Sequence, residues 1–213
     1  VERRLVETTD ENSLVTIYIC PDETEKKYLI NTLKLDEHTL NSALDPDELA
    51  RIEFEPEHLA VIFKRPRNYS SHDQFLFRVA SAGAYLFKDR LIIVVAEDVP
   101  LFYGIQVISF ASQALLIIRL IYRSIFHFLE HLKVINAISD ELQDKINKSM
   151  ENRHLINLFT LEKSLVYYLN SINSNGVILE RLNDLLQSGS SGLYDLGGNH
   201  FAVKHRKTFS LDL

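Results

Sequence analysis

Glu162-Lys-Ser-Leu-Val-Tyr-Tyr-Leu-Asn-Ser-Ile172 is the stretch on which the organisation of the chain turns. Leu165 and Ile172 stand seven residues apart, and the same interval continues through Leu158, Leu179 and Leu186. Seven residues are two turns of an α-helix, so the interval draws one apolar stripe along one helix face. Upstream, Ile121, Phe128, Ile135 and Leu142 repeat in the same way. No proline interrupts residues 110–187. The break falls near Asn147 to Asn152, where Ser149 and Asn152 suit a turn and a helix start. Two long helices folded back as a hairpin follow from this pattern, with the leucines as the packed seam.

The first half has a different grammar. Leu14 to Ile19 is apolar and β-branched, a strand by composition. It ends at Pro21, and Asp22 is placed to cap a helix with Glu23 and Glu25 in its first turn and Tyr28, Leu29, Leu33 and Leu35 along it. A short helix is predicted over residues 37–44, closed by Asp45-Pro46. Strands are predicted over Arg51 to Phe54 and Leu59 to Lys64. A hairpin-like pair, Phe75 to Phe87 and Leu91 to Ala96, flanks Lys88-Asp89-Arg90. Strands outnumber helices here, so the sheet is expected to be mixed rather than purely parallel. After Gln187 come four of the seven glycines and the Ser188-Gly-Ser-Ser-Gly192 run, a linker composition. The expected division is an α/β domain over 1–108, a long helical hairpin over 109–187 and a flexible or foreign tail over 188–213.

Composition excludes several classes. A formal net charge of −6 offers no basic footprint for nucleic acid, and the short Lys64-Arg65-Pro66-Arg67 run is expected to be a solvated turn. Cys20 is the single cysteine, so no internal disulfide and no thiolate zinc cluster can form. The N-terminus, Val1-Glu2-Arg3-Arg4, carries no leader pattern, which makes a cytoplasmic setting the expectation. Leu101 to Ile118 lacks charge, as a membrane span would. It also contains Gln106, Ser109, Ser112 and Gln113 beside the turn formers Pro100 and Gly104, so a loop entering a buried helix is expected instead.

One motif invites a catalytic interpretation. His127-Phe-Leu-Glu-His131 matches H-x-x-E-H, in which histidines at i and i+4 share a helix face and a glutamate activates zinc-bound water. A third protein ligand is needed, and none of Glu141, Glu151, Glu162 or Glu180 is marked for it. Three identities in five residues recur by chance, and His and Glu commonly decorate the solvated side of a long helix. His38, His58, His72, His154, His200 and His205 form no ligand spacing. No glycine-rich phosphate loop, G-x-S-x-G elbow or partnered cysteine is present.

Ser124-Ile-Phe-His-Phe-Leu-Glu-His-Leu-Lys-Val-Ile-Asn136, the Glu162 to Ile172 stretch and Val177 to Leu182 together resemble the paired helices of the CorA magnesium-transporter family. The strand ending at Pro21, Leu35-Asp-Glu-His-Thr-Leu40, Arg51-Ile-Glu-Phe54 and Leu59 to Phe63 resemble its N-terminal domain, so the likeness runs over about residues 10–187. The resemblance implies an α/β/α sandwich, a mixed sheet with helices on both faces, followed by a long antiparallel helical hairpin. It implies a domain on the cytoplasmic side of the membrane, in five copies around a funnel. In that family a stalk helix leads to two transmembrane helices joined by a Gly-Met-Asn filter. Here Met150 is followed by Glu151, no transmembrane pair follows Leu182, and the stalk is not evident. The chain is therefore expected not to conduct ions by itself, as an excised piece or a truncated relative.

The expected role is regulation and assembly in a transporter of magnesium, or of cobalt or nickel, without catalysis. The expected cofactor is a weakly held regulatory Mg2+. The partners are further copies of the chain, a homopentamer in the full-length family, and no nucleic acid; membrane contact comes only through the transmembrane helices. Magnesium keeps several waters and needs one or two carboxylates, and Asp140, Glu141 and Asp144 are the candidates, with Glu151 beyond them. A zinc hydrolase using His127, Glu130 and His131, and a helical adaptor that binds partners through its hairpin, are the alternatives.

Overall fold

A computed structural model of the chain describes residues 4–7, 13, 15–70, 73, 75–98, 101, 113–149, 151–187 and 209–212. In chain order these form β1 (Arg4–Glu7), β2 (Val15–Ile19), α1 (Glu23–Asn31), α2 (Glu37–Leu44), β3 (Arg51–Phe54), β4 (His58–Pro66), β5 (Val79–Phe87), β6 (Leu91–Val95), α3 (Gln113–Lys148), α4 (Asn152–Gln187) and β7 (Phe209–Asp212). The turn formers Pro100 and Gly104, together with His72, Met150, His200 and His205, lie outside the described residues, as does 188–208 of the tail.

Five strands make one sheet in the order β2-β6-β5-β4-β3. β2 runs parallel to β6, with Val15 opposite Leu91 and Ile19 opposite Val95; the other pairs are antiparallel. The sheet is therefore mixed, as the excess of strands predicts. A two-stranded ribbon pairs β1 with β7 antiparallel, so the chain's last described segment returns to its first.

Successive strand residues point to opposite faces, and both faces of the sheet are covered. Every residue of β4, including Lys64 and Arg65, is buried. Ala60 and Ile62 face Leu29, Leu40 and Ala43 of α1 and α2. Val61 and Phe63 face Leu116, Ile117, Leu120 and Ile121 of α3 and Ile178 and Leu182 of α4. A continuous apolar run such as Leu59 to Phe63 suits this doubly covered position. The hairpin is thus not a free arm along its whole length. Its two ends form the second helical layer of the sandwich, and its middle continues past the sheet.

The caps follow the local sequence. Asp22 accepts from the backbone N–H groups of Thr24 and Glu25 at 2.9 and 2.8 Å, while Glu25 accepts from the Asp22 N–H at 2.9 Å. This reciprocal box starts α1. Asp36 starts α2 in a simpler way, accepting from the Thr39 N–H at 2.9 Å. α1 is shorter than its apolar pattern suggests. It stops at Asn31, and Lys34 takes a left-handed conformation with φ 61°, turning the chain so that Leu35 still reaches the core. β5 likewise begins at Val79 rather than Phe75, whose φ of 68° cannot belong to a strand. Lys64 to Pro66 is strand rather than solvated turn.

One contact between α2 and β5 is tight enough to be specific. Tyr85 donates to the Thr39 carbonyl at 2.8 Å, and a Cβ added at Gly83 would stand 2.7 Å from both the Ala43 Cβ and the Tyr85 hydroxyl. Gly83→Ala is expected to destabilise the fold by about 1–3 kcal/mol through overpacking. Tyr85→Phe, which removes the hydroxyl, is expected to cost about 1 kcal/mol. Chemical denaturation of the two variants checks both values.

Candidate functional site

The α3–α4 hairpin does not pack through the leucines that the seven-residue interval selects. On α3 the expected residues are buried: Ile121, Phe128, Ile135 and Leu142. On α4 they are not. Leu165 is 38% exposed, and Leu158, Ile172 and Leu179 are only partly covered. The buried face of α4 carries Leu161, Ser164, Tyr168, Ser171, Asn175, Ile178 and Leu182 instead, alternating steps of three and four. Half of this seam is polar, so apolar periodicity alone points to the wrong face.

Two of its polar residues, Asn175 and Ser164, meet backbone of the sheet domain, and Tyr168 meets His131 of α3. β3 pairs with β4 only as far as Ile62, which leaves the β4 edge unpaired at Lys64. Asn175 fills the vacancy: the Lys64 N–H donates to its Oδ1 at 2.8 Å, and its Nδ2 donates to the Lys64 carbonyl at 2.7 Å. Ser124 of α3 donates to the same carbonyl at 2.6 Å. One amide side chain thus continues the sheet for one residue and satisfies groups that would otherwise be buried without partners. Ser164, eleven residues earlier on α4, accepts from the Phe77 N–H ahead of β5 at 3.1 Å. The Lys64 side chain runs the opposite way, donating to the Pro46 carbonyl at 2.7 Å and Ser81 Oγ at 2.9 Å. Burial lowers its pKa, with Asp45, Asp47 and Glu48 opposing. The neighbouring Arg65 donates to Glu97 at 2.7 Å, and Arg67 shares that carboxylate at 2.8 Å.

The two histidines of the H-x-x-E-H motif lie beside this seam, while its glutamate stays on the solvated side of α3. His127 and His131 are half-buried with ring centres 4.5 Å apart, and His131 Nδ1 is 2.7 Å from the Tyr168 hydroxyl. Phe77 meets both His131 and Tyr168 edge-on. Burial pushes His131 down to about 4, aided by the neighbouring His127. Burial also lowers His127; Glu130 opposes the shift, and Arg65 and Arg123 reinforce it. Glu130 is exposed, and among the described residues no group of three His, Cys, Asp or Glu side chains is placed to hold a metal ion. The third ligand that a hydrolytic zinc needs is not supplied by these residues.

Asp140, Glu141 and Asp144 occupy the last part of α3, all exposed. Asp140 and Asp144, four residues apart, share a face, while Glu141 accepts from Lys145 at 2.5 Å, which lowers its pKa. Glu151 pairs with Arg153 at 2.6 Å beyond the turn. Among the described residues no helix is long and apolar enough to cross a membrane.

A family model described as CorA-like Mg2+ transporter protein matches residues 18–195, spanning the sheet and both long helices. The chain belongs to this family. It is a family of transporters rather than enzymes, and nothing in the match favours a metallohydrolase. In fold the chain is similar to the complete CorA magnesium transporter of Methanocaldococcus jannaschii, with a TM-score of 0.64 at 14% identity over 90% of this chain and 77% of that one. It is similar to the soluble domain of the same archaeal CorA, with a TM-score of 0.63 at 14% identity over 87% of this chain and 95% of that one. At such identity the likeness is one of fold, and it extends to the five-stranded mixed sheet followed by two long helices. No curated protein matches the sequence.

Sequence patterns missed Asn175, Ser164 and Tyr168. The signal that finds Tyr168 and Asn175 is a second seven-residue interval through Leu161, Tyr168, Asn175 and Leu182, read without requiring every member to be apolar; Ser164 stands on the interleaved interval with Ser171 and Ile178. Asn175→Ala is expected to cost about 1–3 kcal/mol, the penalty of an orphaned buried N–H at Lys64. Asn173→Ala, two residues away on the exposed face, is expected to be within about 0.5 kcal/mol of neutral. Urea denaturation of the pair separates the edge-pairing role from helix propensity.

Proposed function

We propose that this chain is the regulatory and assembly domain of a CorA-type divalent-cation transporter, standing on the cytoplasmic side of a membrane and not itself conducting. The family match over residues 18–195 carries this reading, since it includes the sandwich and the helical hairpin together. The transported ion is magnesium, with cobalt or nickel as further cargo. Membrane contact belongs to transmembrane helices rather than to any described helix, and the chain has no catalytic role.

Regulation in this reading works through surface carboxylates. Asp140, Glu141 and Asp144 present clustered negative charge at the far end of α3, where hydrated magnesium can bridge to a neighbouring copy with few direct ligands. With the cation present, facing carboxylates are neutralised and the copies stay together; without it, like charges repel and the assembly loosens. Assembly into a homopentamer is part of the same proposal. Its support is the outer surface of the hairpin: Phe159 is 67% exposed and Leu169 60%, with Ile156 and Val166 beside them and Tyr122 and Phe126 on α3. Several large apolar side chains left exposed on the two helices are what an interface between copies would cover.

Magnesium chloride is expected to raise the melting temperature above that in sodium chloride of matched ionic strength, by about 2–4 °C for each kcal/mol of linked binding. Asp140→Asn, Glu141→Gln and Asp144→Asn combined are expected to abolish the difference. Sedimentation in the same buffers follows assembly. A magnesium response untouched by the triple variant removes these three carboxylates from the site, and no response at all makes the chain a scaffold rather than a sensor.

A further inference from the structure

His127 and His131 are unlike the other titratable groups of the hairpin, because they stand where three elements meet. His131 bonds to Tyr168, which is fully buried and packs edge-on against Phe128 of α3 and Phe77 of the segment leading into β5. Phe77 in turn stacks on Tyr69 at 4.0 Å. The middle of α4 is therefore held by a cluster centred on Tyr168, with His131 at its half-buried rim, flanked by the Ser164 and Asn175 bonds to backbone.

The charges around the pair are unbalanced. From β4 comes Arg65, committed to Glu97; from α3 come Arg123 and Glu130; from α4 comes the neutral Tyr168. The segment from 69 to 77 supplies aromatic rings to this cluster. Only Glu130, which is exposed, favours a cation here, and it adjoins His127 rather than His131. A proton on either ring places charge 4.5 Å from a second imidazole, and one on His131 places it against buried aromatic rings. Water is the available relief: His131 is only half-buried, and its buried side, against Tyr168 and Phe77, gains water when α4 moves away from α3.

We propose that His127 and His131 form a proton-operated latch: neutral, they hold the middle of α4 on α3 and on the Phe77 segment, and charged, they release it while the sheet stays folded. The sign follows from burial. The unlatched state binds more protons than the latched one, so latching weakens as pH falls below the ordinary histidine value near 6.5 and levels off below about 4, where His131 is charged even in the latched state. The latch is independent of the transport reading, because it needs no metal ion and no second copy.

Hydrogen exchange on the whole chain between pH 7 and pH 4.5, corrected for intrinsic rates, tests it. Opening of the α4 amides over 161–175 is expected to rise about tenfold per pH unit for each linked proton, while β4 and β5 amides keep their protection. His127→Gln with His131→Gln retains polar side chains that do not titrate and is expected to flatten that slope. Tyr168→Phe is expected to raise opening at pH 7 yet keep the slope. His58 is also buried and neutral, but it stacks on Phe87 across the sheet, so His58→Gln is expected to leave the α4 slope unchanged. An acid slope that survives in the double glutamine variant overturns the latch, as does sheet exchange that rises in step with α4. If that variant fails to fold, NMR titration of the unaltered protein decides: imidazole midpoints at or above 6.5 for both histidines overturn it, and midpoints well below support it.

Discussion

The pairing of Asn175 with the backbone of Lys64 is the constraint on which the architecture depends. A β-sheet edge must be paired, covered or kept wet, and β4 loses its neighbour where β3 ends. Covering the edge with a helix leaves the strand's own N–H and C=O without partners unless the helix brings an amide to them. Asn175 brings both a donor and an acceptor in one side chain, at 2.7 and 2.8 Å. Serine, glutamine or an apolar residue cannot reproduce that two-point geometry at the same reach. The bond fixes the rotation of α4 about its axis, and everything on the helix inherits that rotation. Tyr168 turns toward His131, Ser164 toward Phe77, and Phe159, Val166 and Leu169 outward.

This also explains what could be read from the sequence. The five strands of the main sheet, the two short helices with their aspartate caps and the break between the long helices follow from local chemistry: β-branched runs, Asp22 and Asp36, and Ser149 to Asn152; the β1–β7 ribbon does not. The packed face of α3 follows too, because Ile121, Phe128, Ile135 and Leu142 are buried by apolar neighbours. α4 carries two seven-residue stripes, and the more apolar one is not the buried one. Apolar periodicity identifies a buried face only where the partner surface is itself apolar. Where the partner is a strand edge, the face must carry Ser, Asn and Tyr, and the leucines are left for other surfaces. The same logic explains the basic run at Lys64 and Arg65. Charge suggests a surface turn, but the Pro46 carbonyl, Ser81 and Glu97 supply the partners that let both side chains enter the interior.

The histidines show how spacing can mislead. Positions i and i+4 bring His127 and His131 together whatever their purpose, so the motif predicts proximity and nothing more. Chemistry is decided by what surrounds them. A hydrolytic zinc site needs a third ligand and an open position, whereas here His131 is engaged by a buried tyrosine and meets Phe77 edge-on. The surroundings keep the pair neutral and make it part of the packing between the hairpin's two helices.

The helical hairpin therefore combines three surfaces with different tolerances. Its ends belong to the sheet core, where Leu116, Ile121, Ile178 and Leu182 cannot move without opening the sandwich. Its middle is held by a few directional bonds and a smaller, partly aromatic cluster of Phe77, Phe128, Ile135, Leu142, Leu161 and Tyr168, and the latch proposed above is a loosening of this part while the ends stay in place. Its far end carries the exposed carboxylates, beyond the reach of the core. Asp140 and Asp144 stand toward the opposite end of the hairpin from the Asn175–Lys64 pair, so the packed base and the charged tip are set by different contacts. In the regulatory role proposed above, that separation would let the charged tip respond to cations without disturbing the packed base.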